Sequence, residues 1–316
     1  MTSPVETPPT IEPAAPLLTG AEAAAVTRRI TRLSVGVAVV LIALKAFALG
    51  ASGSVSVLAS LTDSALDLVA SLATFFAVRW AAAPADAEHR HGHGKGEAMA
   101  GLVQSGLIFA SAVFVGWEAV QRIFDPRPVG AGGWAVAVML LSMALTAGLV
   151  WYQTQALKRV NSLAVAGDRA HYAADLAAAV VVLIGIISGT FLHAPGLDAA
   201  AGLVVAIWLF WGALGLLKTA SDQLLDRSAP DAEVAAITRA VLSDPRIKGL
   251  HRLRTRLSGS STLIQMHVDL DPALSLQAAH DILEAAEARV LAVVPEADVM
   301  MHPDPVGTTP RSGPWG

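Results

Sequence analysis

The sequence predicts an α-helical membrane protein: six spanning helices, then a small soluble α+β module whose elements run α-β-β-α-β. Three observations carry this expectation. The 316 residues are 54% hydrophobic and only 15% charged, with a mean hydropathy of +0.55; that is ordinary for a polytopic membrane protein and high for a soluble one. Six stretches reach the roughly 20 residues that one bilayer crossing needs. After Ala220 the long apolar runs give way to short amphipathic ones. The absence of cysteine excludes disulfides and thiolate metal sites. A formal net charge of −4 offers no footing for nucleic acid.

Residues 1–26 mix Pro, Thr, Glu and Ala without the basic-then-apolar layout of a signal peptide, and read as a disordered tail. A membrane domain over 27–222 follows. Its predicted spans are Ile30–Gly50, Val55–Ala82, Met99–Phe124, Gly132–Leu157, Leu163–Leu192 and Leu197–Ala220. The second and fifth are long and polar on one face. The first, fourth and sixth are more uniformly apolar, apart from Lys45, which can snorkel or pair with a carboxylate. Arg28, Arg29, Arg32, Arg90, Lys95, Lys158, Arg159, Arg169, Lys218 and Arg227 collect on one side, against Arg122 and Arg127 on the other. The positive-inside bias then predicts that both termini are cytoplasmic.

Residues 223–306 are expected to form the soluble module. Val234, Ile237 and Val241 keep helical spacing. Leu253, Thr255 and Leu257 alternate, Ser258-Gly259-Ser260-Ser261 makes a turn, and Ile264, Met266, Val268 and Leu270 alternate again. Leu276, Ala279, Leu283, Ala286, Val290 and Val293 trace a second amphipathic helix, and Ala297–His302 a last strand. The result is a small sandwich of ferredoxin-like, metallochaperone-like type, its sheet covered by helices on one face. A module this small is marginal alone and calls for a partner surface. Strand parity turns His267 away from the core, and Met300 and Met301 read as strand packing residues. Residues 307–316 are a second disordered tail.

The chemistry concentrates in the second span, at Ser60-Leu61-Thr62-Asp63-Ser64-Ala65-Leu66-Asp67. Four-residue spacing stacks Asp63 and Asp67 on one helix face. A charge at mid-bilayer costs roughly 3 kcal/mol or more, so such residues mark ion or proton paths. The fifth span repeats the spacing with His171 and Asp175. Facing each other, the two pairs supply three carboxylates and an imidazole, enough for a four-coordinate site. That donor set favours Zn²⁺ or Fe²⁺ over Mg²⁺ or Ca²⁺. The bland alternative is a hydrogen-bonded patch that ties helices together. Rival functions are an intramembrane zinc-dependent hydrolase, for which no further general base is evident, and a passive cation channel, which a closed four-ligand site disfavours. The polar loop from Pro84 to Lys95 carries His89, His91 and His93, and either wraps a metal or is simply a solvated basic loop.

These motifs resemble the cation diffusion facilitator family. The resemblance rests on Ser-Leu-Thr-Asp-Ser-Ala-Leu-Asp in the second span, His-Tyr-Ala-Ala-Asp in the fifth and His-Gly-His-Gly-Lys-Gly-Glu before the third, and it covers Thr27 to Pro305. Within the family it is similar to the bacterial zinc and ferrous-iron efflux branch (the FieF/YiiP type). The resemblance implies a homodimer in the bacterial inner membrane that exchanges cytoplasmic Zn²⁺ or Fe²⁺, or Cd²⁺, for protons. It puts Asp63, Asp67, His171 and Asp175 on the transport site, with His171 and Asp67 in proton coupling. It assigns Asp86, His89 and His93 to a loop metal site, where His91 can compete, and Lys95 to a hinge ion pair with Asp226. His251, His267, His280, His302 and Asp304 are implied at a regulatory metal site between two soluble modules. Pro303 departs from the family pattern and puts one contact there in question. Relatives with a carboxylate in place of His171 lean towards Mn²⁺; this chain keeps the imidazole.

Overall fold

The computed structural model describes residues 18, 20–52, 55–124, 133–187, 197–259 and 261–307. Six long helices come first: α1 (Gly20–Ser52), α2 (Val55–Ala81), α3 (Gly96–Phe124), α4 (Gly133–Leu157), α5 (Leu163–Ile187) and α6 (Leu197–Leu224). All but α5 are long and apolar enough over their described residues to cross a membrane. The exception has a packing reason. Helix α5 touches all five others, so its Asp168, His171 and Asp175 can face protein rather than lipid. Ser162 starts it: its hydroxyl accepts from the Val165 amide at 3.3 Å, as an N-cap does. Glu97, at the start of α3, lies beside Ser162, Leu163 and Ala164 at the start of α5, which brings the two helix ends together.

The outward faces carry Phe47, Phe76, Phe114, Trp151 and Trp211, all exposed as a lipid-facing surface requires. The most extensive helix pair is α3 with α6. Small residues let them close: a Cβ added at Gly202 would lie 2.9 Å from the Ala119 Cβ, and one at Gly116 would lie 3.3 Å from the Ala206 Cβ.

Two boundaries differ from the sequence reading. Residues 20–26, expected in the tail, are the first turns of α1. Glu22-Ala23-Ala24-Ala25 has high helix propensity, Ala23 and Thr27 are buried, and the Leu18 amide donates to the Arg159 carbonyl at 2.7 Å. Helix α6 likewise continues through Ser221–Leu224 before the chain turns at Asp226, which has a φ of 59°. The remainder of both expected tails (residues 1–17, 19 and 308–316) and the predicted end of the fifth span lie outside the described residues.

The soluble module follows as α7 (Asp231–Leu242), β1 (Gly249–Ser258), β2 (Ser261–Leu270), α8 (Leu276–Val293) and β3 (Ala297–Pro305). The sheet order is β1-β2-β3, with β1 antiparallel to β2 and β3 parallel to β2. Helices α7 and α8 cover one face over a core of Ile237, Val241, Ile264, Met266, Val268, Leu270, Ile282, Ala286 and Val290. Ile282 rather than Leu276 or Val293 completes the α8 stripe; those two are the helix's first and last residues and are exposed. Met301 packs against the core, whereas Met300 is 64% exposed because it pairs with Gln265 on the uncovered face. The β1–β2 register slips between His251 and Arg254, with Arg252 at a φ of 51°; this bulge places both Leu250 and Leu253 on the core.

Candidate metal centres

Within the helical bundle, α2 and α5 bring Asp67, His171 and Asp175 together, with one ligand atom from each inside 4.8 Å of the others. The His171 Nε2 lies 3.3 Å from Asp67 Oδ1 and 3.7 Å from Asp175 Oδ2. Asp67 is 7% and His171 6% exposed. Two buried atoms, His171 Nδ1 and Asp175 Oδ2, have no hydrogen-bond partner among the described residues. Unsatisfied buried polar atoms are costly, so this pocket of donors suits an ion better than a static helix tie.

Asp63, the fourth expected ligand, does not join them. It stands one turn away on α2, on an exposed position, where the charge of Lys45 acts on it. Among the described residues, Lys45 makes no ion pair with a carboxylate. Its Nζ donates to Ser64 Oγ at 2.6 Å and to the Ser60 carbonyl at 3.1 Å.

Asp168 was not anticipated, and it is buried to 1% exposure. Gln153 Nε2 donates to its Oδ2 at 2.8 Å and Ser71 Oγ to its Oδ1 at 3.4 Å. Gln153 also donates to Ser34 Oγ at 3.1 Å, and Ser71 shares a 2.7 Å hydrogen bond with Tyr172. Residues of α1, α2, α4 and α5 thus meet at one carboxyl. Its sequence signal is the three-residue step to His171, which puts the two on neighbouring turns of one face.

Asp86, His89 and His93 form a second group. Asp86 Oδ1 accepts the Glu88 and His89 amides at 2.9 and 2.6 Å, and its two oxygens lie 3.4 Å from His89 Nδ1 and 3.3 Å from His93 Nε2. The amide of His89 does most to hold the Asp86 carboxyl below its ordinary value. The Trp80 ring lies against His93 with centroids 5.4 Å apart and planes tilted by 48°. His91 is exposed and outside the group.

Next to this loop the two domains meet. Lys95 Nζ contacts Asp226 Oδ1 at 2.8 Å and the Leu224 carbonyl at 3.2 Å. Lys95's hydrogen bond is the main reason the Asp226 carboxyl sits low. Gly94 and Gly259 face each other so closely that a Cβ on Gly259 would lie 3.1 Å from the Gly94 Cα.

The third group is His251, His267 and Asp304, on the uncovered face of the sheet. Register aligns His251 with His267 and His267 with His302. Asp304 Oδ2 lies 2.7 Å from His267 Nδ1 and 3.2 Å from His251 Nε2, and its Oδ1 3.4 Å from His302 Nε2. Burial raises the Asp304 carboxyl, but the hydrogen bond from His267 and three nearby imidazoles outweigh it and leave a net lowering. Asp269 adds a further oxygen, 3.5 Å from His251 Nδ1. His280 is not in the group. It belongs to α8, which covers the opposite face of the sheet, and its neighbour is Glu284 at 3.9 Å. Pro303 pairs with core-facing Val268, so a side chain at 303 points away from the imidazoles and displaces no ligand.

Comparison with known proteins places both parts of the chain. The model of the cation efflux transmembrane domain matches residues 31–225, and that of the cation efflux protein cytoplasmic domain matches 229–306. The chain belongs to the cation diffusion facilitator (cation efflux) family. It is 38% identical to the cation-efflux pump FieF of Cronobacter sakazakii over 87% of this chain and 91% of that protein. The FieF of Pectobacterium carotovorum is likewise 38% identical, over 87% and 92%, and that of Salmonella choleraesuis 37%, over 90% and 96%. Membership makes this a multi-pass cation-efflux transporter of the FieF type rather than an enzyme, and leaves the hydrolase alternative without support.

Proposed function

We propose that this cation diffusion facilitator exports Zn²⁺ or Fe²⁺, with Cd²⁺ as a further substrate, from the bacterial cytoplasm in exchange for protons. The observation that carries the reading is the buried meeting of Asp67, His171 and Asp175 between α2 and α5. An ion entering from the cytoplasm exchanges water for these donors, and Asp63 completes the set when α2 moves against α5. Rocking of the helices then opens the site to the other side. Ligands must be deprotonated to hold a metal, so metal binding and proton release are linked. His171, with an ordinary pKa nearest neutrality, and Asp67 are the proton carriers on the return stroke.

The working unit is a homodimer in the inner membrane with both termini cytoplasmic. The soluble modules pair through the face bearing His251, His267, His302 and Asp304, with His280 contributing only from outside the intrachain group. Zn²⁺ there and at Asp86, His89 and His93 is regulatory: metal favours the paired modules and biases the membrane halves. The Lys95–Asp226 pair sits at the hinge.

The test is metal flux in reconstituted vesicles, comparing Zn²⁺, Fe²⁺, Cd²⁺ and Mn²⁺ under an imposed pH difference. Flux of Zn²⁺ or Fe²⁺ that rises with the proton gradient is expected. Flux indifferent to the gradient ends the exchange mechanism, and selectivity for Mn²⁺ ends the metal assignment.

A further inference from the structure

The transport cluster is not balanced by its cargo. Asp63, Asp67 and Asp175 bring three negative charges into the bundle, and a divalent ion brings two positive ones. The residue positioned to supply the missing charge is Lys45. It lies seven residues from the end of α1, about 10 Å into the helix, in the run Leu44-Lys45-Ala46-Phe47. A lysine at that depth can extend its stem towards water. Here the head turns inward instead and is held by two hydrogen bonds to α2, from Nζ to Ser64 Oγ at 2.6 Å and to the Ser60 carbonyl at 3.1 Å. Ser60 and Ser64 flank Asp63 on the same helix. Ser60, Asp63, Ser64 and Asp67 follow the spacing of one helix face, so hydrogen bonds to the two serines set the ammonium beside the α2 carboxylates of the proposed transport site.

We propose that Lys45 is a built-in counter-cation of the transport site, offsetting one of its three carboxylates so that a bound divalent ion leaves the whole group near zero charge. The inference rests on the transport function proposed above and adds a residue that sets the affinity of that site. An uncompensated site would hold the same ion more tightly and release it more slowly. In a medium of low polarity a unit positive charge beside a divalent ion weakens its binding, an effect separate from the two charge-assisted hydrogen bonds that hold the lysine head. Lys45 does not bind the ion; it positions the balance between capture and release.

The experiment uses the full-length chain in vesicles and reads Zn²⁺ flux against Zn²⁺ concentration. Lys45→Gln keeps hydrogen-bond donors for Ser60 and Ser64 and removes the charge; Lys45→Arg keeps the charge. Expected for Lys45→Gln is a KM about tenfold lower with a similar fall in kcat, and for Lys45→Arg kinetics near the parent's. If Lys45→Gln does not fold, Lys45→Met, which suits the apolar neighbourhood, carries the same expectation. Parental KM and kcat in the charge-free variant overturn the proposal. So does a variant with reduced kcat and unchanged KM, which would make Lys45 a mechanical tie between α1 and α2. A parental protein that moves no divalent metal overturns the transport reading and this inference with it.

Discussion

Replacing Gly94 with alanine should loosen the soluble module from the helical bundle, and the size of the effect can be worked from the contact. A Cβ at Gly94 would fall 2.5 Å from the Ser258 carbonyl oxygen, 2.7 Å from its carbon and 2.9 Å from its Oγ. Two of these are backbone atoms of a tight turn, so the strain cannot be relieved by rotating one side chain. Gly259 opposes Gly94 with a φ of 63°, which leaves the turn little freedom to retreat. Overpacking of this kind costs about 1–3 kcal/mol, a factor of about 5–150 in the ratio of docked to undocked forms. The neighbouring Lys95–Asp226 pair is worth less. Both partners are more than a third exposed, and surface pairs contribute about 0–1 kcal/mol, screened further by salt. Gly94→Ala should therefore undock the module more than Lys95→Ala does. Hydrogen exchange at the β1–β2 turn and the loop from Pro84 to Lys95 reads the difference, with Gly148→Ala, whose added Cβ meets nothing within 4 Å, as control. Faster exchange at both segments in Gly94→Ala is expected. Equal protection in Gly94→Ala and the parent, or a larger effect from Lys95→Ala, would refute the ranking of backbone contact over ion pair.

Asp175→Ala or Asp67→Ala should stop Zn²⁺ transport in vesicles while the protein keeps its parental elution and melting behaviour; transport at the parental rate would sink the site assignment. Asp168→Ala strands Gln153 and Ser71 in the bundle and should cost about 1–3 kcal/mol, read as a lower melting temperature in detergent, whereas Asp168→Asn, which keeps an acceptor, should recover much of it. In the soluble module, Asp244 accepts from Arg246 Nε at 3.0 Å and Nη2 at 2.8 Å, and from Arg289 at 3.4 Å. The Arg246 side chain is the main cause that holds the Asp244 carboxyl well below the ordinary range. Because its native value is depressed, its contribution is fully present above an unfolded pKa of about 3.9 and lost as pH falls towards the native one. Protection of α7 and α8 against hydrogen exchange should then drop below about pH 4 more steeply in the parent than in Asp244→Asn; parallel profiles would show that the pair does not contribute.

Much of this was legible because membranes make charges conspicuous. Asp63, Asp67, His171 and Asp175 stand out of apolar runs, and their spacing alone places each pair on one face. The meeting of Asp67 with His171 and Asp175 follows, but the exclusion of Asp63 does not, since it depends on how α1 and α2 are turned. Asp168 escaped notice because it adjoins Arg169, which reads as the basic edge of a loop; only the packing of α5 among all the other helices shows that the carboxyl is interior. Strand parity put His267 on the uncovered face and predicted the core from Ile264 to Leu270. It also settles Pro303, whose register partner was invisible without the parallel β3. His280 could not be placed from spacing, because nothing in a helical stripe says which side of a sheet the helix will cover. The closeness of Gly94 to the β1–β2 turn is equally silent in sequence: a glycine in a polar loop looks like any flexible residue until another backbone is found against it.

The bulge in β1 makes the number of residues between His251 and Arg254 as consequential as their identity. In an unbroken strand, Leu250 and Leu253 would lie on opposite faces, since an odd step reverses the side. The surplus residue absorbs that reversal and lets one strand serve two masters, the greasy underside and the row of imidazoles. Run without the bulge, the same residues would bring His251 opposite core-facing Val268 and turn Leu250 out to water, whereas a chain shortened by one at Arg252 would keep both leucines inside and His251 in line with His267 with no bulge at all.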